Sequence, residues 1–339
     1  MKSSLINIFS GTAEEIGTSI GKSIGRKEFE NNINRMIEAI DKNYGINFEK
    51  LESESRLWLE SIPEEYQKEL EGISQGADLS IKEIAKWYFS SMSIDGACTS
   101  FIKKIDNSWW VGRNNDYLLP KAWGHINIIE VEGKIPVMLF GLEGDIFSGT
   151  GFNKEKLWLH YNWLPVWDLP EKNTKTIAPF IFIRKALESC SSIEDVKQLL
   201  KNTVRDGGMN LFVVDGKNNK SAVFECSSKN YKERKIEASY LAGANNYSAA
   251  KVPADFNFDF DNSIKRQNRV EKLLREQKDR ISIKNMIDIL ADSEVEQNNN
   301  LSGTVYSNIA CPAENLIYFA YDGYPAASRS KWQKVEWKW

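Results

Sequence analysis

In this chain of 339 residues the first group with the means to do covalent chemistry is a cysteine. Cys98 follows two small residues in Asp95-Gly96-Ala97-Cys98-Thr99-Ser100, where a helical texture gives way to a strand-like one. A thiol placed there can attack the carbonyl of the residue before it and move the acyl group from nitrogen to sulfur. Gly96 and Ala97 leave the backbone free for the strained approach this needs. Hydrolysis would then cut between Ala97 and Cys98 and expose Cys98 as a new N-terminus. Its α-amino group, with an ordinary pKa of about 7.7 to 8.0, would act as general base for its own thiol. Such an enzyme needs no histidine. Fifteen residues later stands Arg113 and, three beyond it, Asp116, in Gly112-Arg-Asn-Asn-Asp116-Tyr. A strand carrying them beside the cysteine strand would bring a guanidinium to stabilise the thiolate and a carboxylate to hold the new ammonium. The same residues also fit a surface strand that ends in an Asn-Asn-Asp turn.

Other candidates are weaker. Only His125 and His160 exist, each within an apolar strand-like run, and nothing nearby supplies the orienting carboxylate of a triad. They read as hydrogen-bonded structural residues, and two histidines do not make a metallohydrolase; no metal or cofactor is expected. A conventional Cys-His peptidase would have to pair Cys98 with one of them. Cys190, Cys226 and Cys311 are scattered and form no C-x-x-C pair, so they read as small core residues. Gly17-Thr-Ser19-Ile-Gly21 satisfies the nucleophile-elbow pattern, but Ser19 falls inside a helix where that pattern needs a strand and a sharp turn. Asp206-Gly-Gly208 and Asp215-Gly216 read as turns.

The elements that would position these residues divide at about residue 93. Before it, Thr12-Ala-Glu-Glu15 and Ser80-Ile-Lys-Glu83 fit capping boxes, and Ile33, Met36, Ile37 and Ile40 recur at helical spacing. Tyr66, Leu70 and Ile73 do the same ahead of Gly76, which reads as a helix stop. From Cys98 onward strands dominate, with helices expected near 176–190, at 192–202 behind a Ser191–Glu194 capping box, and near 263–277 and 282–292. Strands and helices sorted into layers make an α+β fold. The 42% hydrophobic content supports a sizeable core. Forty-four basic against forty-seven acidic residues, with no basic block, argue against nucleic acid. No apolar run of roughly eighteen residues occurs and the first residues do not look like a signal peptide, so no membrane span and a cytoplasmic location are expected.

The run from Cys98-Thr-Ser to Gly112-Arg-Asn-Asn-Asp116-Tyr resembles the N-terminal nucleophile (Ntn) hydrolases of the choloylglycine hydrolase and penicillin acyltransferase group. Gly11-Thr-Ala-Glu-Glu-Ile-Gly17-Thr-Ser-Ile-Gly21 and Glu69-Leu-Glu-Gly72-Ile-Ser-Gln-Gly76 are similar to the leader of the acyl-coenzyme A:6-aminopenicillanic acid acyltransferase branch. Gly151-Phe-Asn153-Lys-Glu-Lys-Leu157 resembles the family's Gly-x-Asn-Glu-x-Gly-Leu turn, with Lys156 where glycine is usual. Leu159-His-Tyr-Asn162-Trp aligns with a segment whose asparagine borders the oxyanion site. Ala242-Gly-Ala-Asn245-Asn-Tyr247 is similar to a Thr-Asn-His-Phe stretch, which implies Asn245 as oxyanion donor. Ser263-Ile-Lys-Arg266 resembles the helix whose arginine lies near the nucleophile.

The resemblance implies a four-layer αββα sandwich of two antiparallel sheets, formed by a catalytic core of 98–339. A helical leader of 1–97 would precede it, to be retained as a small subunit after cleavage at Ala97 and Cys98. It implies Cys98 as nucleophile and base, Asp116 orienting the amine, Arg113 and Arg266 tuning charge, and Asn245 with Asn162 nearby holding the oxyanion. The reaction would be hydrolysis or acyl transfer at a linear amide C–N bond, peptide-like or not, through an acyl thioester. Its small-molecule partner would be an N-acyl amide or acyl thioester. A homo-oligomer and a leader/core heterodimer are compatible with this, and a non-catalytic binding protein on the same fold is the remaining alternative. Trp109, Trp110, Trp158, Trp163 and Trp167 lie around the site segments and suit either an acyl pocket or packing between layers. Strand alternation keeps Trp109 and Trp110 from both facing a pocket.

Overall fold

A computed structural model describes residues 6–94, 96–119, 122–171, 174–277, 282–299 and 302–339. The chain opens with strand β1 (Ile6–Gly11), followed by helices α1 (Ala13–Ile24), α2 (Arg26–Tyr44), α3 (Phe48–Ser61), α4 (Glu64–Ala77) and α5 (Ile81–Met92). Next come β2 (Ala97–Ile105), β3 (Ser108–Tyr117), β4 (Trp123–Val131), β5 (Val137–Leu142), β6 (Thr150–Asn153) and β7 (Leu157–Leu164). Helices α6 (Pro179–Ser189) and α7 (Ile193–Lys201) lead to β8 (Gly208–Asp215), β9 (Lys220–Cys226), β10 (Tyr231–Glu233) and β11 (Tyr240–Gly243). The chain ends with α8 (Asp261–Glu276), α9 (Ile283–Leu290), β12 (Gly303–Cys311), β13 (Leu316–Ala320), α10 (Ala326–Arg329) and β14 (Gln333–Lys334).

The local signals act largely as expected. Thr12 and Ser80 both close reciprocal capping boxes with Glu15 and Glu83. The third expected box shifts by one residue: Ser192, not Ser191, caps α7, because Asp195 gathers the hydroxyls of both serines on one carboxylate oxygen. Gly76 does not stop its helix. It lies inside α4, and Asp78, in the left-handed region, takes the cap. A Cβ on Gly76 would sit 2.2 Å from the Thr18 carbonyl oxygen, and one on Gly17 would sit 2.0 Å from that of Glu69. With Gly21 and Gly72 in equally tight contact, α1 and α4 touch backbone to backbone, and these glycines exist for that approach. Ser19 is on the exposed side of α1, its hydroxyl donating to the Glu15 carbonyl at 2.8 Å.

Two sheets face each other. The larger runs β1-β4-β5-β6-β7-β8-β9-β10 and the smaller β11-β2-β3-β12-β13-β14. Helices α6 and α7 cover the outer face of the first, α8 and α9 that of the second, which completes an αββα sandwich. Among the described residues, the pairings between these strands are antiparallel but for one: β1 lies parallel to β4, with Ile6 opposite Ile126. The segment ahead of Cys98 is therefore not wholly helical; its first strand is an edge of the larger sheet. Burial of Phe9 and the ladder of backbone hydrogen bonds to β4 favour that placement over a free arm. A second tie is electrostatic. Glu69 of α4 pairs with Arg184 of α6 at 3.3 Å, Arg184 pairs with Glu188 at 2.5 Å, and Tyr66 Oη donates to Glu188 at 2.9 Å, all buried.

Candidate active site

The site is built on the β2–β3 hairpin. Its turn residues Asp106 and Asn107 both have positive φ, 45° and 69°, which suits a tight two-residue connection and fixes the register. Cys98 thereby faces Asn115, Ala97 faces Asp116, and Ser100 faces Arg113. The polar run 112–116 does not end a surface strand: β3 continues to Tyr117, buried between β2 and β12.

Alternation puts Cys98, Arg113 and Asn115 on the face between the sheets. Arg113 Nη2 donates to Cys98 Sγ at 3.3 Å and to the Tyr161 carbonyl at 2.8 Å. Its Nη1 donates to Tyr306 Oη at 2.9 Å and to Thr150 Oγ1. The guanidinium is thus locked by the opposite sheet while touching the sulfur. The thiol in turn donates to Asn115 Oδ1 at 3.7 Å. Burial raises the Cys98 pKa, and Arg113 opposes that rise.

Asp116, three residues from Arg113, points to the other face of the hairpin. Its Oδ1 accepts from Thr304 Oγ1 at 2.6 Å and its Oδ2 lies 4.0 Å from Arg266 Nη1. The structure thus brings Arg113 to the sulfur, but of Asp116 only the backbone N–H, while the carboxyl sits behind the hairpin. Burial pushes that carboxyl up to about 6 against the pull of Arg266. Arg266, from α8, donates through Nη1 to the Cys98 carbonyl at 2.6 Å and to Thr99 Oγ1, and through Nη2 to Asn245 Oδ1 at 3.0 Å.

That oxygen of Asn245 also accepts the Cys98 backbone N–H at 2.8 Å. Asn245 Nδ2 donates to the Trp163 carbonyl at 2.8 Å and reaches the Gly96 carbonyl at 3.5 Å. Asn246 turns away to Ser263 and Gln267. Asn162, which the resemblance sets beside the oxyanion site, is held by Ser100 and Gly243, each two residues from Cys98 or Asn245. Its Oδ1 accepts from Ser100 at 2.9 Å and its Nδ2 donates to the Gly243 carbonyl at 3.1 Å, so it bridges the two sheets. Neither histidine joins Cys98. His160 Nδ1 accepts from Trp158 Nε1 at 2.9 Å and its ring stacks on Phe212, with burial holding it neutral. His125 is half-buried on β4. Among the described residues no group of three or more His, Cys, Asp or Glu side chains is placed to hold a metal, and no helix is long and apolar enough to cross a membrane.

Cys98, Arg113 and Asn115 open onto a cavity of about 270 Å³, against the roughly 10–15 Å³ that holds one water. From the segment ahead of Cys98, Trp58, Phe89, Met92 and Ile94 wall it; Tyr161, Trp163 and Phe180 close the other side. Of the five tryptophans singled out in the sequence, only Trp163 lines it. Trp158 is interior, Trp110 packs under α8 and α9, Trp167 packs on Tyr247, and Trp109 borders a separate surface groove.

The family model for acyl-coenzyme A:6-aminopenicillanic acid acyl-transferase matches residues 103–323, well over half the chain. The chain belongs to that family. It is thereby one of the Ntn hydrolases. The matched span holds Arg113, Asp116, Asn162, Asn245 and Arg266, and Cys98 lies just ahead of it. No curated protein matches the chain. Among solved structures, a mutant conjugated bile acid hydrolase from Clostridium perfringens is similar at 16% identity and a TM-score of 0.45, over 71% of this chain and 97% of that one. A Caenorhabditis elegans ortholog of N-acylethanolamine-hydrolyzing acid amidase is similar at 18% identity and a TM-score of 0.45, over 64% and 93%. Penicillin V acylase from Agrobacterium tumefaciens is similar at 13% identity and a TM-score of 0.48, over 70% and 86%.

Several site residues of this family member were not visible to sequence reasoning. Thr150, Tyr306 and Thr304 position Arg113 and Asp116 from strands distant in sequence, and Trp58 reaches the cavity from α3. Asn115 was within reach: once the β2–β3 register is drawn, it stands directly opposite Cys98.

Proposed function

We propose that the chain is a self-processing Ntn amidohydrolase or acyltransferase whose nucleophile is Cys98. The observation that carries this is the pair of contacts at Cys98: a guanidinium on the sulfur at 3.3 Å and an amide oxygen on the backbone nitrogen at 2.8 Å, with a ligand-sized cavity in front. In the uncut chain the thiol attacks the Ala97 carbonyl, the C–N bond breaks, and the departing nitrogen takes a proton. Water then releases Ala97 as a carboxylate. The liberated amine stays under Asn245 Oδ1, where it can take the thiol proton during turnover.

Sulfur attack on a substrate amide builds an oxyanion. One N–H of Asn245 is committed to Trp163; the other, spent only on a 3.5 Å contact with Gly96, is the one that cleavage frees for that oxyanion. Arg113 stabilises the thiolate and Arg266 holds Asn245 and the Cys98 carbonyl in place. Asp116 sits where it balances Arg266 and the new ammonium. The acyl thioester is resolved by water or by an amine. The apolar walls suit an acyl group, and their origin in α3 and α5 supports retention of residues 1–97 as a subunit after the cut.

Intact-mass spectrometry of freshly purified wild-type and Cys98→Ala protein tests this. The wild type is expected as two chains, the larger beginning Cys98-Thr-Ser, and Cys98→Ala as one chain inactive on N-acyl amides. A single wild-type chain, or turnover that survives in Cys98→Ala, overturns the reading. Activity lost in His125→Gln or His160→Asn but retained without processing would favour a Cys-His peptidase.

A further inference from the structure

The cavity holds one charged group that this chemistry does not use. Asp206 and Gly207 line it together with Cys98 and Arg113. Asp206-Gly-Gly208 has the composition of a plain turn, yet the loop is fastened at several points. Ile177 N–H donates to the Val204 carbonyl at 3.1 Å, and Asp206 N–H donates back to the Ile177 carbonyl at 3.2 Å. Arg205, fully buried, spends its guanidinium on carbonyls: Nε on Ser227 at 3.0 Å, Nη1 on Thr203 at 2.7 Å and on Leu200 at 3.1 Å. The nearest cation in sequence therefore anchors the loop backbone and is unavailable to the neighbouring carboxylate.

Asp206 itself is accessible to solvent at the cavity wall. Among the described residues, no cation acts on it; enclosure by protein pushes its carboxyl up to about 6, and only its own backbone amide opposes this. The other cavity charge, Arg113, is committed to the sulfur, Tyr161, Tyr306 and Thr150. Asp206 thus places on the wall of the Cys98 cavity a carboxylate that no cation of the described residues engages, where a cation entering the cavity would find its counter-ion. Asp168, by contrast, is spent on the backbone amides of Ser228, Lys229 and Asn230, whereas among the described residues no amide but its own ties up the Asp206 carboxylate.

We propose that Asp206 determines specificity by recognising a cationic nitrogen on the substrate, an ammonium or guanidinium carried away from the scissile amide, and by disfavouring substrates with an anionic group there. The substrate class is then an N-acyl amide with an apolar acyl portion and a basic nitrogen. This rests on the reading of Cys98 as the nucleophile of the same cavity. At a few ångströms' separation in a partly desolvated site, one such charge contact changes a rate by about tenfold or more.

The test uses three methanethiosulfonate reagents of similar size, carrying an ammonium, a neutral methyl and a sulfonate. The cysteine thiolate attacks the reagent's alkylthio sulfur, a mixed disulfide forms as the S–S bond of the thiosulfonate breaks, and methanesulfinate leaves. Their rates at Cys98 are followed by mass spectrometry in wild-type, Asp206→Asn and Asp206→Ser protein, with Cys98→Ala as background. The wild type is expected to react about tenfold faster with the ammonium reagent than with the sulfonate. Both Asp206 variants are expected to lose that preference while the neutral rate stays within about twofold. A preference unchanged in both variants, or none in the wild type, overturns the role of Asp206 and leaves Cys98 as nucleophile intact. A Cys98 that no reagent modifies overturns the nucleophile reading and this proposal with it.

Discussion

The backbone nitrogen of Cys98 and the side chain of Asn245 meet at 2.8 Å across 147 positions of sequence. Because Arg266 also donates to that oxygen, at 3.0 Å, the amide can be oriented only one way, with its NH₂ toward Trp163 and Gly96. Asn245→Ala removes a fixed acceptor at the nitrogen and a fixed donor near the attacked carbonyl. It is expected to lower kcat by a hundredfold or more with a much smaller effect on KM. A variant with wild-type kcat would remove Asn245 from the oxyanion role.

If turnover proceeds as proposed, Asp116 is expected to set the acid side of its pH profile. Its carboxyl is pushed up to about 6 by burial, so it carries its charge above that pH and loses it below. On the proposed cleavage, an ammonium at Cys98 would favour the ionised form and draw this value lower. Turnover is therefore expected to fall as pH drops through about 6 or somewhat below. Asp116→Asn should lower kcat and abolish that acid limb. The same limb in the variant would assign it to another group.

The buried ion cluster linking α4 to α6 predicts a pH-dependent stability. Glu69 is pushed up to about 7 by burial, against the attraction of Arg184. A carboxyl whose folded pKa lies above its unfolded value favours the folded state most when protonated, so this contribution is full below about 4.5 and lost as pH rises through about 7. Its size is on the order of 3 kcal/mol. Glu69→Gln should therefore gain on the wild type in melting temperature as pH goes from 5 to 8. A difference between the two proteins that stays flat over this range would show that Glu69 remains ionised throughout.

Legibility in the sequence followed the distance over which a relationship had to act. Cys98, Arg113 and Asp116 sit on one hairpin, whose short turn makes spacing equivalent to register, yet parity of the strand put Asp116 on the opposite face from the thiol. Asn245 and Arg266 come from a loop and α8, and only a resemblance pointed to them. Asn162 was placed in the right strand, but Ser100 and Gly243 engage its amide, contacts that only the stacking of two sheets defines. Capping boxes at Thr12 and Ser80 were read correctly because their partners lie three residues away. Strand β1 was missed because its partner β4 lies about 120 residues downstream, and Gly76 was misread because a glycine inside a helix looks like a stop until the facing helix is known.

The glycines between α1 and α4 make the last prediction. In an exposed helix interior, Gly→Ala stabilises by roughly 0.5–1 kcal/mol. At Gly17 the added methyl would lie 2.0 Å from the Glu69 carbonyl oxygen and 2.9 Å from the Ile73 nitrogen, both backbone atoms that no rotamer change can move. The helices must part, and α4 then draws Glu69 and Tyr66 away from Arg184 and Glu188, loosening α4 from α6. Overpacking of this kind typically costs about 1–3 kcal/mol, and a lost partner in a buried ion cluster adds to it. Gly17→Ala is thus expected to lower the urea midpoint clearly, whereas Ser19→Ala, two residues on at an exposed position of the same helix, should change stability by no more than about 0.5 kcal/mol. Equal midpoints for Gly17→Ala and the wild type would mean that the backbone contact between the two helices is absent in solution.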